Sequence, residues 1–306
     1  MKILQKIFTI GLITAAMLTG FTRISHAQVE EEWVARYNGP GNGSDYASAL
    51  AVDADGNVYV TGGSYGTGTY GDYATIKYNS SGQEQWVVRY DGPVNGWDNA
   101  SSLAVDADGN VYVTEGSYGI GTTADYATIK YNSSGQEQWV ARYNGPGNEY
   151  DFAYSLAVDT DGNVYVTGKS NGIGTSADYA TIKYNSSGQE QWVARYNGPG
   201  NGSDYAYSLA VDADGSIYVT GESAGTGTDD DYATIKYNSS GQEQWVARYN
   251  GPGRSFGFIS TGCIRALSAL PQSLQSNNSC QLQAASRKLR KSFGLRFGWK
   301  QDSRIG

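Results

Sequence analysis

The sequence is poor in the residue types on which many enzymes depend. Histidine occurs once, at His26, and the two cysteines, Cys263 and Cys280, lie near the C-terminal end. Residues 28–253 therefore contain no imidazole base, no thiol nucleophile and few of the usual transition-metal ligands. No disulfide can form within this part of the chain. Carboxylate chemistry and the binding of oxygen-coordinated cations are not excluded.

Long apolar runs are also scarce. Residues 7–21 are mostly apolar, follow two lysines and precede a small-x-small cleavage pattern that ends at Ala27. This arrangement is typical of a secretory signal, whereas a membrane-spanning helix needs a longer run. We therefore predict that residues 1–27 are a signal peptide and that the mature chain has no transmembrane segment. The expected location is secreted or at the cell surface, with the periplasm as the alternative.

Positively charged residues are scarce in most of the chain. Residues 28–253 hold 29 Asp and Glu against 10 Lys and Arg, whereas residues 254–306 hold 9 basic side chains against the single Asp302. An acidic body repels nucleic acid and anionic membranes, so we expect no nucleic-acid partner. We interpret residues 254–306 as a basic non-repeat tail that is disordered or results from a frame shift. A genuine anion-binding tail is the alternative.

What the sequence does contain is a strict repeat. The phrase W-V-[AV]-R-Y-[ND]-G-P occurs five times at intervals of 53 residues, and nearly constant text lies between the copies. The phrase begins at Trp33, Trp86, Trp139, Trp192 and Trp245. A fixed period of this size indicates one supersecondary unit whose copies bury one another's apolar faces.

Each repeat reads as four short strands. In the first copy, two β-prone runs flank the Asp-Gly turn at residues 53–57, a third run is DYATIKY, and the turn NSSG leads to QWVVRY. Such a unit predicts an antiparallel meander the size of a propeller blade. No segment has the 3.6-residue apolar period of a helix. A β-solenoid would have shorter coils, and a sandwich would not repeat so strictly.

The repeated text is similar to that of a known family. The phrase [AS]LAVD[AT]DGNVYVTG followed by DYATIKYNSSGQEQW resembles the bacterial SBBP β-propeller repeat, and more distantly NHL-type repeats. The resemblance implies a secreted or surface propeller whose LAVD strand is innermost, and it brings no established catalytic residues. We therefore predict an all-β chain with four four-stranded antiparallel blades. Their expected ranges within the repeat region, 28–253, are 45–91, 98–144, 151–197 and 204–250.

The number of strands raises the question of ring closure. Residues 31–38 repeat the Trp strand and predict an extra N-terminal outer strand, but the three strands that would complete its blade do not follow Tyr249. An incomplete ring and a closed four-bladed ring both stay open. Exposed edge strands pair with other chains, so self-association is a further expectation.

The copies differ chiefly in two loops, which alternate strand direction places on one face of the blades. Aromatic side chains accompany Asn, Asp and Gly there, a combination suited to sugars or polar polymers. Surface loops also vary without any function. The candidate ligand-binding residues on this face are Tyr65, Tyr70, Trp97, Tyr118, Tyr150 and Phe152.

The DADGN turns allow a second hypothesis. Asp53, Asp55 and Asn57 place oxygen ligands on alternate residues, as in calcium sites. The glycine stands too early for an EF-hand loop, and no glutamate follows at its twelfth position. An Asp-Gly hairpin turn explains the same residues. We therefore expect no cofactor and no metal, with Ca²⁺ as the weaker alternative.

A binding or scaffold module for an extracellular polysaccharide or protein is the function that these features favour. The copies are nearly interchangeable, and no residue pair stands out as a general acid and base, so we do not expect an enzyme. The alternatives are a carboxylate-using, glycan-active enzyme and a non-functional truncated fragment.

Overall fold

The computed structural model describes residues 30–251, and the regular secondary structure of this part of the chain consists of strands. Sixteen strands form four antiparallel sheets of four, each made of strands consecutive in sequence. Nothing in residues 30–251 forms a helix long and apolar enough to cross a bilayer. The predicted signal peptide and the basic tail, residues 254–306, lie outside the described residues.

We call the four sheets blades 1 to 4, in chain order. Within each blade the first strand is innermost and the fourth is outermost. Blades 1 and 2 contain β1 Asp45–Val52, β2 Val58–Tyr65, β3 Gly71–Tyr78, β4 Glu84–Tyr90, β5 Ser102–Val105, β6 Val111–Tyr118, β7 Ala124–Tyr131 and β8 Glu137–Tyr143. Blades 3 and 4 contain β9 Asp151–Val158, β10 Val164–Asn171, β11 Ala177–Tyr184, β12 Glu190–Tyr196, β13 Asp204–Val211, β14 Ile217–Ala224, β15 Asp230–Tyr237 and β16 Glu243–Tyr249.

The tight turns between strands follow from the repeated Asp-Gly and Ser-Gly pairs. Gly56 in the DADGN turn has φ of 77° and Gly82 in the NSSG turn has φ of 76°, a region that glycine enters without steric cost. Asp53 N–H donates to Asn57 O at 3.1 Å, and Asn79 N–H donates to Gln83 O at 2.9 Å. Each repeat therefore reverses direction at the same two places.

Consecutive blades are joined by the repeated aromatic residues. Tyr126 of blade 2 is fully buried against a cluster that includes Ile182 of blade 3, and its hydroxyl donates to Ala180 O at 3.3 Å. The indole of Trp139 donates from Nε1 to Ser186 O at 3.1 Å. A Cβ on Gly188 would come within 2.6 Å of the Trp139 ring. The tryptophans that recur every 53 residues thus make the same contact with the next blade in each repeat.

The ring of blades is incomplete. The inner strands of consecutive blades contact one another, but no contact of similar extent joins blades 1 and 4 within residues 30–251. Leu50 of blade 1 is 67% exposed, whereas the equivalent Leu156 and Leu209 are 8% and 9% exposed. The predicted all-β propeller architecture is confirmed, and its open form is the one observed.

The predicted outer strand at residues 31–38 is wrong in one respect. The segment has no strand structure, because no neighbouring strand among the described residues offers it a ladder of hydrogen bonds. Its side chains nevertheless contact blade 1 in the way that the outer strand of each blade contacts the blade that follows it. Trp33 packs on Tyr78 with ring centroids 6.1 Å apart, and Arg89 donates to the Tyr37 hydroxyl at 3.2 Å.

Blade 2 departs from the repeat at its inner strand. The inner strands of the other blades have eight residues, but β5 has four. In blade 3, Gly168 lies against β9, and a Cβ there would stand 2.0 Å from Phe152 O. Blade 2 carries Glu115 at this position. A side chain cannot fit beneath a regularly paired inner strand, so continuous pairing begins at Ser102, opposite Thr114, and is preceded by the isolated bridge between Asp98 and Ser117.

Candidate functional site

The two variable loops of neighbouring repeats lie side by side. The β2–β3 loop and the loop that follows β4 are joined through Asn95, whose Oδ1 accepts from Tyr70 N–H at 3.2 Å and whose Nδ2 donates to Gly68 O at 2.9 Å. Loops that vary between copies therefore form one surface rather than isolated tips. We call this surface the variable face.

A repeated aspartate fixes the loops of the variable face. The Oδ2 of Asp98 accepts from Gly92 N–H at 2.9 Å, and its Oδ1 accepts from Tyr118 N–H at 3.1 Å. Burial raises the pKa of Asp98, although these hydrogen bonds and Arg142 oppose the rise. The loops therefore form a rigid support on which exposed side chains can differ.

The first aromatic group on this face consists of Tyr65, Tyr70 and Trp97. Trp97 lies 5.4 Å from Tyr65 and 6.1 Å from Tyr70 between ring centroids, and 42% of its surface is exposed. The loop before Trp97 carries Val94 where the first repeat has Gly41. A Cβ on Gly41 would stand 2.4 Å from Gly66 O. Because of this clash, Val94 requires a different backbone path for its loop. On that path Trp97 lies between Tyr65 and Tyr70.

The second aromatic group contains Tyr118, Tyr150 and Phe152. Tyr150 and Phe152 are stacked with ring centroids 6.0 Å apart and planes 6° from parallel. Partial burial, together with the neighbouring phenol of Tyr150, raises the pKa of Tyr118. All six predicted residues thus lie in two groups, and Tyr118 packs over Gly96, next to Trp97 in the chain.

A shallow cavity of about 650 Å³, wide open to solvent, lies beside the second group, between blades 3 and 4. Tyr150 and Phe152 line one side of it, and Tyr205 and Ser203 line the other. Lys169 stands within it, with Nζ 5.1 Å from the Phe152 centroid and 5.0 Å from that of Tyr205. The sequence prediction did not include Lys169 or Tyr205.

Glu115 is a third residue that the prediction missed. Its carboxyl group is largely buried, and desolvation raises its pKa to about 8. Its charge in turn contributes to raising the pKa of Tyr46, after burial of that phenol. The hydroxyl of Tyr46 donates to Asn99 Oδ1 at 2.5 Å. Because of this raised pKa, Glu115 keeps its proton to a higher pH than an exposed glutamate does.

A signal for these residues is present in the sequence. The second strand of each repeat begins with VYVT, or with IYVT in blade 4, and the next two residues then differ from blade to blade. They are Gly62-Gly63, Glu115-Gly116, Gly168-Lys169 and Gly221-Glu222. Variation at these two positions of a repeated strand is the sequence signal that marks Glu115 and Lys169 as candidate functional residues.

Of the candidate calcium ligands, the Asp53 carboxylate is occupied by the turn itself. Asp53 Oδ1 accepts from the N–H groups of Asp55 and Asn57, and its Oδ2 accepts from Asn57 Nδ2 at 2.8 Å and from the Tyr59 hydroxyl at 2.9 Å. Burial opposes ionisation of Asp53, but these four hydrogen bonds outweigh it and lower its pKa. Residues 30–251 contain no group of three or more Asp, Glu, His or Cys placed to hold a metal.

Millimolar Ca²⁺ is therefore expected to leave the melting temperature unchanged. A bound cation would have to displace donors that already satisfy both oxygens of Asp53. Calorimetric melting with CaCl₂ and with EDTA checks this. A saturable rise in the melting temperature with Ca²⁺, absent with equal concentrations of Mg²⁺, would show that the turn residues bind calcium.

Comparison with known proteins agrees with this architecture. Three segments, residues 32–68, 138–174 and 191–227, match the SBBP family, described as a Beta-propeller repeat. These three segments are SBBP repeats. Each matched segment begins one residue before a repeated tryptophan and ends in the loop between the second and third strands of the following blade. No curated protein matches the sequence.

Solved structures that resemble these SBBP repeats do so distantly. A protein of unknown function from Dyadobacter fermentans DSM 18053 has a TM-score of 0.45 and 11% identity, covering 66% of this chain and 68% of its own. A gluconolactonase from Xanthomonas campestris has a TM-score of 0.41 and 16% identity, covering 67% of this chain and 62% of its own. An α-L-arabinofuranosidase from Clostridium thermocellum ATCC 27405 has a TM-score of 0.39 and 14% identity, covering 65% and 71%.

Proposed function

We propose that this chain is a secreted or cell-surface binding module that holds extracellular polysaccharide on its variable face. The observation that carries the proposal is the pair of aromatic groups on rigid loops, with Trp97 and Tyr150 exposed by 42% and 45%. Flat rings beside amide and hydroxyl groups suit the alternating apolar and polar faces of sugars. The acidic body and the predicted signal peptide support an extracellular role.

Binding of a polysaccharide to this face is expected to depend on the exposed rings. Trp97→Ala and Tyr150→Ala should each weaken binding of a glycan selected on an array by about 10-fold, or ~1.4 kcal/mol, because a stacking platform is lost. Isothermal titration calorimetry measures the change. Ile120→Ala is the matched control, since Ile120 is an exposed apolar residue of the β6–β7 loop outside both aromatic groups.

Two results would count against this role. Unchanged affinity in both ring variants would place the ligand elsewhere. Failure of the wild-type chain to bind any glycan on the array would leave a structural module as the better description.

One observation favours a second candidate, a carboxylate-using enzyme that acts on glycans. Glu115 occurs once among four repeats, is largely buried and has a pKa raised to about 8 by desolvation, as a general acid requires. Incubation of the array ligand with the wild-type chain and with Glu115→Gln separates the candidates. Product release by the wild type alone would establish the enzyme.

A further inference from the structure

The cavity between blades 3 and 4 differs chemically from the rest of the variable face. Its volume of about 650 Å³ lies within the range of ligand pockets, about 300–1,000 Å³. Its walls combine rings with hydrogen-bonding groups. They include Tyr150, Phe152, Lys169, Asn171, Ser203 and Tyr205.

Lys169 is the charged residue that distinguishes this cavity. The equivalent residues are Gly63, Gly116 and Glu222, so the repeat itself does not require a lysine. Within residues 30–251 the ion pairs are those between the repeated arginines and aspartates, and Lys169 takes part in none of them. Its ammonium group lies between two rings at 5.0 and 5.1 Å.

The other lysines over rings occupy a different place in the blades. Lys183, for example, stands 5.1 Å from the Tyr165 centroid and next to the Asp159 turn, at the end opposite the variable loops. That interaction recurs in every blade and belongs to the scaffold. Lys169 makes the same kind of contact once, and it does so inside a cavity.

The acidic surroundings make Lys169 a selective binding point for an anionic group. Because residues 28–253 carry 29 acidic against 10 basic side chains, an anion is repelled by most of the surface. Glu149 at the cavity rim also carries a carboxylate, which accepts a hydrogen bond from Asn171 Nδ2 at 2.7 Å. Within this cavity an anionic ligand therefore gains attraction where its charge reaches Lys169.

We infer that this cavity binds a saccharide unit carrying a carboxylate, with that group on Lys169 and the sugar ring against Phe152 and Tyr205. Asn171 and Ser203 supply polar contacts for the hydroxyl groups. The inference rests on the proposed binding function and names its ligand class, an acidic polysaccharide. The rings hold the lysine in place, so little side-chain entropy is lost when the carboxylate binds.

The test uses trigalacturonic acid and its fully methyl-esterified form, which share one backbone and differ in charge. Calorimetry of the full chain is expected to show at least 10-fold tighter binding of the acid than of the ester. Lys169→Met keeps the aliphatic stem between the rings and should remove that preference. Lys169→Glu, which copies Glu222 of blade 4, should abolish binding of the acid.

Lys183→Met is the matched control, because it removes a lysine from the same kind of ring contact outside the cavity, and it should bind the acid as the wild type does. Equal binding of acid and ester by the wild type, or an unchanged preference in both Lys169 variants, would overturn the inference. Binding of neutral glycans on the array with no binding of trigalacturonate would overturn it while leaving the binding function in place. Binding of no glycan at all would remove both.

Discussion

Replacement of Arg195 by methionine is expected to lower the free energy of unfolding by about 3–5 kcal/mol. Arg195 Nη2 lies 2.9 Å from Asp178 Oδ2, and its Nη1 donates to Ser170 Oγ at 2.6 Å and to the Tyr143 hydroxyl of the preceding blade at 3.0 Å. The Asp178 side chain is 7% exposed, and its Oδ1 already lacks a partner. Without the guanidinium, a buried carboxylate would remain nearly uncompensated.

Urea unfolding followed by tryptophan fluorescence measures this loss. Arg36→Met is the control, because Arg36 occupies the same place in the repeated text but is exposed in a segment without a sheet. It should change the stability by no more than about 0.5 kcal/mol. Equal losses of unfolding free energy in the two variants would show that the ion pair between Arg195 and Asp178 stabilises the fold no more than a surface arginine does.

The second large effect is expected at Glu115 and depends on pH. Desolvation raises its pKa from a usual 4.5 to about 8 in the folded chain. Between these values the folded state keeps a proton that the unfolded state has released. The stability therefore falls as the pH rises through this window, and the full cost is present above pH 8.

Glu115→Gln removes the carboxylate and keeps the shape of the side chain. The variant should match the wild type near pH 4 and exceed its stability above pH 8 by about 2–3 kcal/mol, a value discounted from about 5 kcal/mol because the group keeps some contact with water. Urea midpoints across this range measure the difference. If Glu149→Gln gave the same pH-dependent gain, net charge rather than burial of Glu115 would be responsible.

The fold could be predicted because every repeated residue has a local or periodic role. The Asp-Gly and Ser-Gly turns depend on neighbours in sequence, and Trp192 lies against Gly241 of the next blade just as Trp139 lies against Gly188. A contact that recurs every 53 residues leaves a periodic trace. Blade number and strand order therefore follow from the text of the repeats.

The candidate site could be predicted only in part. Exposed aromatic residues in variable loops are visible in the sequence, but the position of Trp97 between Tyr65 and Tyr70 depends on the loop path that Val94 requires. Lys169 and Glu115 lie within strands, and the sequence shows only that these positions vary between copies. The burial of Glu115 and the ring contacts of Lys169 depend on which residues of the neighbouring blades lie beside them.

The sequence by itself thus determined the all-β repeat architecture, the tight turns, the interblade tryptophan register and the candidate aromatic face. Only the tertiary structure decided that residues 31–38 take an outer position without strand structure, that β5 is shortened by Glu115, and that Lys169 stands in a cavity between two rings. The physical reason is the range of the interactions. Turns and repeat contacts are encoded once in each copy, whereas burial and ring contacts depend on which unlike residues neighbouring blades place together.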